Sequence, residues 1–140
     1  MSLTAFFREN AKKPEKQKII VSDRFRDEKG NPIPWEIQAI SENEDSKIKS
    51  DCTVKTIFKG RQTSKFNNQK YMNKLIAACV VYPDLKSAEL QKNYGVTSDD
   101  ELLKAMLLSG EHANLQQVVS EINKFDIDQT ETTKDEIKNS

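Results

Sequence analysis

The chain has 140 residues, enough for one domain of ordinary size, with 36% hydrophobic and 31% charged residues and a formal net charge of zero. That balance is polar for a globular protein but outside the disordered range, so it predicts a modest core with some length left as solvated tail. No run approaches the roughly 18 apolar residues a bilayer span requires. Residues 1–10 are too short and too soon charged for a signal peptide, so the chain is expected to stay in the compartment where it is made.

Charge is unevenly placed along this neutral sequence. Between Lys47 and Lys74 eight bases face Asp51 alone, a balance of +7. From Asp126 onward five acids face Lys134 and Lys138, a balance of −3. Such asymmetry points to a polar partner or to self-association. Cys52 and Cys79 read as small buried hydrophobes rather than a disulfide. With one histidine in the chain they make no zinc site, and no cofactor is expected.

In chain order, residues 2–8 suit an amphipathic turn carrying Leu3, Phe6 and Phe7. The polar, proline-containing stretch after it reads as a linker, so that residues 1–17 form a turn and tether. Two readings of the turn stay open: a hook for another protein, or a turn folded back on its own domain. Ile19, Val21 and Phe25 then lie on one face at period two, and Ile33, Trp35, Ile37 and Ala39 alternate likewise. Asp27 to Asn31 supply turn chemistry, so the two runs predict an antiparallel hairpin, with Pro32 and Pro34 holding its second strand to an edge or a late start.

Ser41 and Glu44 form a capping box that opens a thinly apolar helix to about Cys52. Residues 53–66 are ambiguous: Val54, Thr56 and Phe58 alternate as in a strand, but the basic stretch around Gly60 reads as a loop. Met72, Leu75, Ile76, Cys79 and Val80 make a wide helical stripe from an Asn67 or Asn68 cap, ended by Pro83. Asp84 suits the cap of a short helix stopped at Gly95. Ser98 and Glu101 open a further helix with Leu102, Leu103, Met106, Leu107 and Leu108, closed at Gly110. Leu115, Val118, Val119, Ile122 and Phe125 mark the last helix. The expected fold is α+β and mostly α-helical, an N-terminal hairpin packed on four or five helices over residues 18–126, with a disordered polar tail over 127–140.

Nothing in this pattern carries enzyme chemistry. His112 follows Glu111, but adjacent helical residues point about 100° apart and cannot act as an oriented pair. Nucleotide-binding and nucleophile-elbow glycine patterns are absent. The basic 47–74 segment, with Phe58 and Phe66, suggests a second reading as a small nucleic-acid-binding regulator, although no recognition-helix pattern accompanies it. The cluster from Leu102 to Leu108 overfills one helical face, so Leu103, Met106 and Leu107 join Phe6 and Phe7 as candidate partner-binding residues.

The order of motifs resembles the XkdN-like phage tail assembly chaperones. The resemblance is carried by Val21-Ser22-Asp23-Arg24-Phe25, Pro34-Trp35-Glu36-Ile37, Val80-Val81 with Pro83-Asp84-Leu85, Leu90-Gln91 with Tyr94-Gly95-Val96, and Met106-Leu107-Leu108 with Gly110-Glu111. It spans residues 3–128. It implies a non-catalytic factor that binds the tape measure protein, helps tail tube subunits gather around it, works in the host cytoplasm and is absent from the mature particle. It supplies no residue-level binding map.

Overall fold

The computed structural model describes residues 2–125; the tail expected over 127–140 lies outside the described residues. Five α-helices and two small antiparallel sheets make up an α+β fold in which helix dominates. The first sheet has three strands in the order β1-β2-β5. Strands β1 (Gln17–Ile19) and β2 (Trp35–Ile37) pair with Ile19 opposite Trp35. Trp35 (2% exposed) and Ile37 (0%) point inward while Glu36 between them does not, the period of two that a sheet covered on one face requires.

The expected hairpin is present, but its paired segments are shorter than the alternation suggested. The buried Ser22 side chain accepts the Arg24 amide hydrogen at 3.1 Å, a local turn that competes with the ladder. On the return side Pro32 and Pro34 have no hydrogen to donate. Pairing beyond β1 survives as a single bridge between Arg26 and Pro32. At the tip Asp27 Oδ1 accepts the amides of Lys29 and Asn31, both at 2.9 Å, and Gly30 adopts φ +83°.

Helix α1 (Glu42–Asp51) starts at Ser41, whose hydroxyl accepts the Glu44 amide at 3.2 Å. The predicted box is half made, since the Glu44 carboxylate takes the Ser41 hydroxyl (3.5 Å) instead of its amide. Helix α2 (Asn68–Cys79) is capped by Asn67 and buries Tyr71, Leu75, Ile76 and Cys79. It is the central helix, packed against α1, α4 and α5. The predicted stripe continued the helix through Val80; the chain instead leaves the helix there as β5 (Val80–Tyr82), which adds to β2. Val80, Val81 and Tyr82 favour extended backbone, and the Gln38 amide donates to the Cys79 carbonyl at 2.9 Å, stitching that exit to the sheet.

Helix α3 (Ala88–Asn93) is capped by Ser87 rather than by Asp84, which caps the turn before it. Gly95 ends α3 at φ +71°, with its amide on the Lys92 carbonyl and that of Val96 on the Gln91 carbonyl, the Schellman pattern that favours glycine. Helix α4 (Asp99–Met106) is capped by Ser98. Gly110 does not close it; α4 stops at Met106 and Gly110 lies in the first turn of α5 (Ser109–Ile122). The Glu111 carboxylate caps α5 by accepting the Leu108 amide at 2.8 Å.

One core joins the sheet to the helices through Trp35, Ile37, Leu75, Ile76, Leu102, Leu103, Leu115 and Val119, each at most 2% exposed. Burying each such aliphatic side chain stabilises the fold by ~1.5–3 kcal/mol. Cys52 and Cys79 are free thiols inside this core, and burial pushes both above the ordinary thiol range.

Candidate partner-binding surfaces

The surplus apolar positions after Ser98 are absorbed by the fold. Leu103 (0% exposed), Met106 (6%) and Leu107 (9%) lie in the core, so the docking face expected of them is not on the surface. Two physical facts explain the overcount. Helix α4 lies against the central α2, which takes up a broad apolar face. In addition the helix stops at Met106 and the next two residues are extended, so a helical projection misplaces Leu107 and Leu108. Of this group Leu108 alone is well exposed, at 58%.

The N-terminal segment behaves differently. It forms two 3-10 turns, Leu3–Phe6 and Arg8–Asn10, neither of which buries a residue. The turns are held from within: Ser2 Oγ accepts the Thr4 amide at 3.2 Å, Asn10 Nδ2 donates to the Thr4 carbonyl at 2.6 Å, and the Phe7 amide returns to the same carbonyl. Phe6 (79% exposed) and Leu3 (77%) face solvent and Phe7 is half-exposed. Phe6 and Phe7 are therefore available as a pair, and the turn does not fold back on the domain. The chain after it is tied down once, where the Gln38 side-chain amide donates to the Pro14 carbonyl at 2.8 Å.

A second exposed apolar surface was not foreseen from the sequence. Residues 53–66 form a hairpin, β3 (Thr53–Phe58) with β4 (Arg61–Phe66), in full register from Thr53 opposite Phe66 to Phe58 opposite Arg61. Its tip is Lys59-Gly60, both at positive φ (51° and 77°), the two-residue turn whose twist matches paired strands. Val54, Ile57 and Phe58 are 60%, 78% and 71% exposed. The missed signal is this Lys-Gly pair following a run with four β-branched residues, Thr53, Val54, Thr56 and Ile57; the basic charge around it suits a loop equally well.

The base of this arm is firmly attached. The Asn67 amide donates to the Cys52 carbonyl at 2.9 Å, and Phe66 packs against Tyr71 in a tilted arrangement with centroids 5.5 Å apart. The Tyr71 hydroxyl donates to the buried Asp45 at 2.6 Å, whose other oxygen pairs with Lys49 at 3.2 Å. Burial, then the Asp45 carboxylate, push the Tyr71 phenol above its ordinary range.

No titratable group is arranged for catalysis among the described residues. Arg24 donates to the Glu111 carboxylate (2.6 Å) and to the Met106 carbonyl (2.8 Å). One guanidinium thereby bridges the end of α4 and the start of α5: its positive charge suits the C-terminal end of α4, and the Glu111 carboxylate suits the N-terminal end of α5. Arg24 holds the Glu111 carboxyl down at about 2. His112 turns the other way and donates to Asn73 Oδ1 at 2.7 Å. Burial, then Lys104, lower its pKa. No three His, Cys, Asp or Glu side chains among the described residues are grouped to hold a metal ion, and no helix among them is long and apolar enough to cross a membrane.

A family model described as phage XkdN-like tail assembly chaperone protein, TAC, matches residues 3–138. The chain belongs to this family. The phage-like element PBSX protein XkdN of Bacillus subtilis (strain 168) is 34% identical over 128 residues, covering 89% of this chain and 85% of that protein. YqbN of the same organism is 30% identical over 116 residues, covering 81% and 78%. The crystal structure of YqbN superposes with a TM-score of 0.79 at 26% identity, over 90% of this chain and 98% of that one. This is a family of assembly chaperones and not of enzymes. In this XkdN-like chaperone the segments that carry the resemblance meet in space: Arg24 of the first reaches Met106 and Glu111 of the last.

Proposed function

We propose that this chaperone binds the tape measure protein in the host cytoplasm, keeps it soluble while tail tube subunits gather around it, and leaves before the particle is complete. The observation that carries this reading is the self-contained N-terminal turn, which buries none of its own residues and presents Phe6 and Leu3 to solvent. A client with long apolar helical surface docks on such exposed anchors through its apolar stripe. Aromatic side chains supply large contact area at low entropic cost, which suits Phe6 and Phe7 to the task.

Co-expression with the tape measure protein tests it. Replacing Phe6→Ser and Phe7→Ser leaves the helical circular dichroism of the chaperone unchanged and lowers the yield of soluble tape measure protein. Undiminished yield removes the Phe pair from the account. The runner-up, a nucleic-acid-binding regulator, draws on the exposed Phe58 beside Lys55, Lys59, Arg61 and Lys65. Measurable binding to a mixed-sequence oligonucleotide that weakens steeply with salt would move the function to that reading.

A further inference from the structure

The β3–β4 arm is incomplete as it stands. Every strand residue except Thr53 is exposed, and a two-stranded hairpin with no covered face is marginal in water. Strand partners share a face, so Val54, Thr56 and Phe58 line one side together with Arg61, Thr63 and Lys65. Thr56 and Thr63 are hydrogen-bonded across it at 2.7 Å. The arm bears Lys55, Lys59, Arg61 and Lys65 and no acid, a balance of +4. Among the described residues none of the four forms an ion pair with a carboxylate.

A second arm is a poor cover, because four cations would be brought against four. The complementary segment lies in the same chain. Residues 126–140 carry −3 and place acids beside isoleucine twice, in Asp126-Ile127-Asp128 and in Asp135-Glu136-Ile137. That mixture matches a face on which Val54 and Phe58 alternate with Arg61 and Lys65. The reach is sufficient. The Ile40 amide donates to Asn123 Oδ1 at 3.0 Å, which sets the end of α5 beside the entry to α1. Helix α1 has 10 residues, a rise of about 15 Å, and leads into six-residue strands about 20 Å long. Fifteen extended residues span up to about 50 Å, more than that path even if helix and arm were collinear.

We propose that the acidic segment 126–140 docks in cis along the Val54-Thr56-Phe58 face of the arm, with Glu131, Asp135 and Glu136 against Lys59, Arg61 and Lys65. Through this contact the chain covers its own exposed β-arm. The proposal does not depend on which client the chaperone holds.

Hydrogen exchange of the full-length protein tests it, comparing the wild type with the Glu131→Gln, Asp135→Asn, Glu136→Gln variant. Exchange in α2 serves as the internal control. Amides of 53–66 exchange severalfold more slowly in the wild type than in the variant at about 0.01 M salt, where charges interact over about 30 Å. The difference vanishes at about 1 M, where that range is about 3 Å. A carbodiimide then links Glu131, Asp135 or Glu136 to Lys59 or Lys65 within single chains, as read by mass spectrometry of the monomer band. Equal exchange in the two proteins overturns the proposal. Links found only in a covalent dimer overturn it as well, by giving the arm to the tail of a second copy.

Discussion

The hairpin of β1 and β2 and the hairpin of β3 and β4 share their local ingredients, alternating residues around a glycine at positive φ, yet only the first is covered. Its inward positions are Trp35 and Ile37, and β5 extends it to a third strand that leads directly out of α2. The second hairpin offers Val54, Thr56, Phe58, Thr63 and Lys65 on one face and keeps both edges open. Its fully paired register, the Lys59-Gly60 turn and the Thr56–Thr63 bond hold it as a hairpin, but nothing in those local features buries it. Turn chemistry and the β-branched content of one strand are enough to specify a pair of strands. The identity of the inward side chains decides whether that pair joins a core.

The sharpest way to break the contrast is at Trp35. Its side chain is 2% exposed and sits where the sheet meets the helical core, so Trp35→Ala removes a large buried surface and leaves a cavity. The expected loss is ~3–5 kcal/mol, a large part of the stability of a domain this size. Urea unfolding followed by circular dichroism reads it as a lowered midpoint. A loss under ~1 kcal/mol would mean that the first hairpin is as dispensable to the body as the second.

A smaller effect should separate the body from the arm by pH. Arg24 holds the Glu111 carboxyl at about 2, below its ordinary 4.5. A depressed carboxylate stabilises the fold while ionised, so its contribution is complete above about 4.5 and is lost as pH falls toward about 2. Asp100, lowered in part by Lys74 against the opposing effect of burial, acts in the same sense, so the wild-type curve alone does not isolate Glu111. Subtracting the curve of Glu111→Gln does: the variant is less stable at neutral pH, and its deficit shrinks across that window. A deficit independent of pH would mean that the charge on Glu111, in its contacts with Arg24 and with the Leu108 amide alike, contributes nothing to stability.

Much of the body was legible because its signals are local. Ser41, Asn67 and Ser98 cap the helices expected of them, and the alternation around Trp35 gives the inward face correctly. The errors have a common form. Val80 fits a helical stripe as well as a strand, and what decides is the open edge of β2, which lies more than forty residues away in sequence. Leu103, Met106 and Leu107 look superfluous on an isolated helix, and α2 is the neighbour that uses them. For Phe6 and Phe7 the sequence leaves open a hook or a turn folded back on its own domain, since either suits an amphipathic turn ahead of a polar tether, and in the structure both side chains are exposed. The link between Arg24 and Glu111 joins residues far apart in sequence, and charge counting gives no access to such a pair.

The smallest expected effect is at Phe58, and it sharpens the comparison most. With 71% of its surface exposed and Lys59 over its ring at 5.6 Å, Phe58→Ser removes little buried area if the arm stands free. Stability of a free arm then changes within ~0.5 kcal/mol, as for surface substitutions generally, whereas the docking of segment 126–140 predicts a larger loss at low salt. Urea unfolding of the full-length variant measures it against the same baseline as Trp35→Ala. A loss above ~1 kcal/mol at low salt that disappears at high salt would show the ring covered in solution by a charged segment. A free arm and an arm covered by its own acidic tail therefore differ in one titration, and the outcome ties the stability of the arm to the charge balance of the chain.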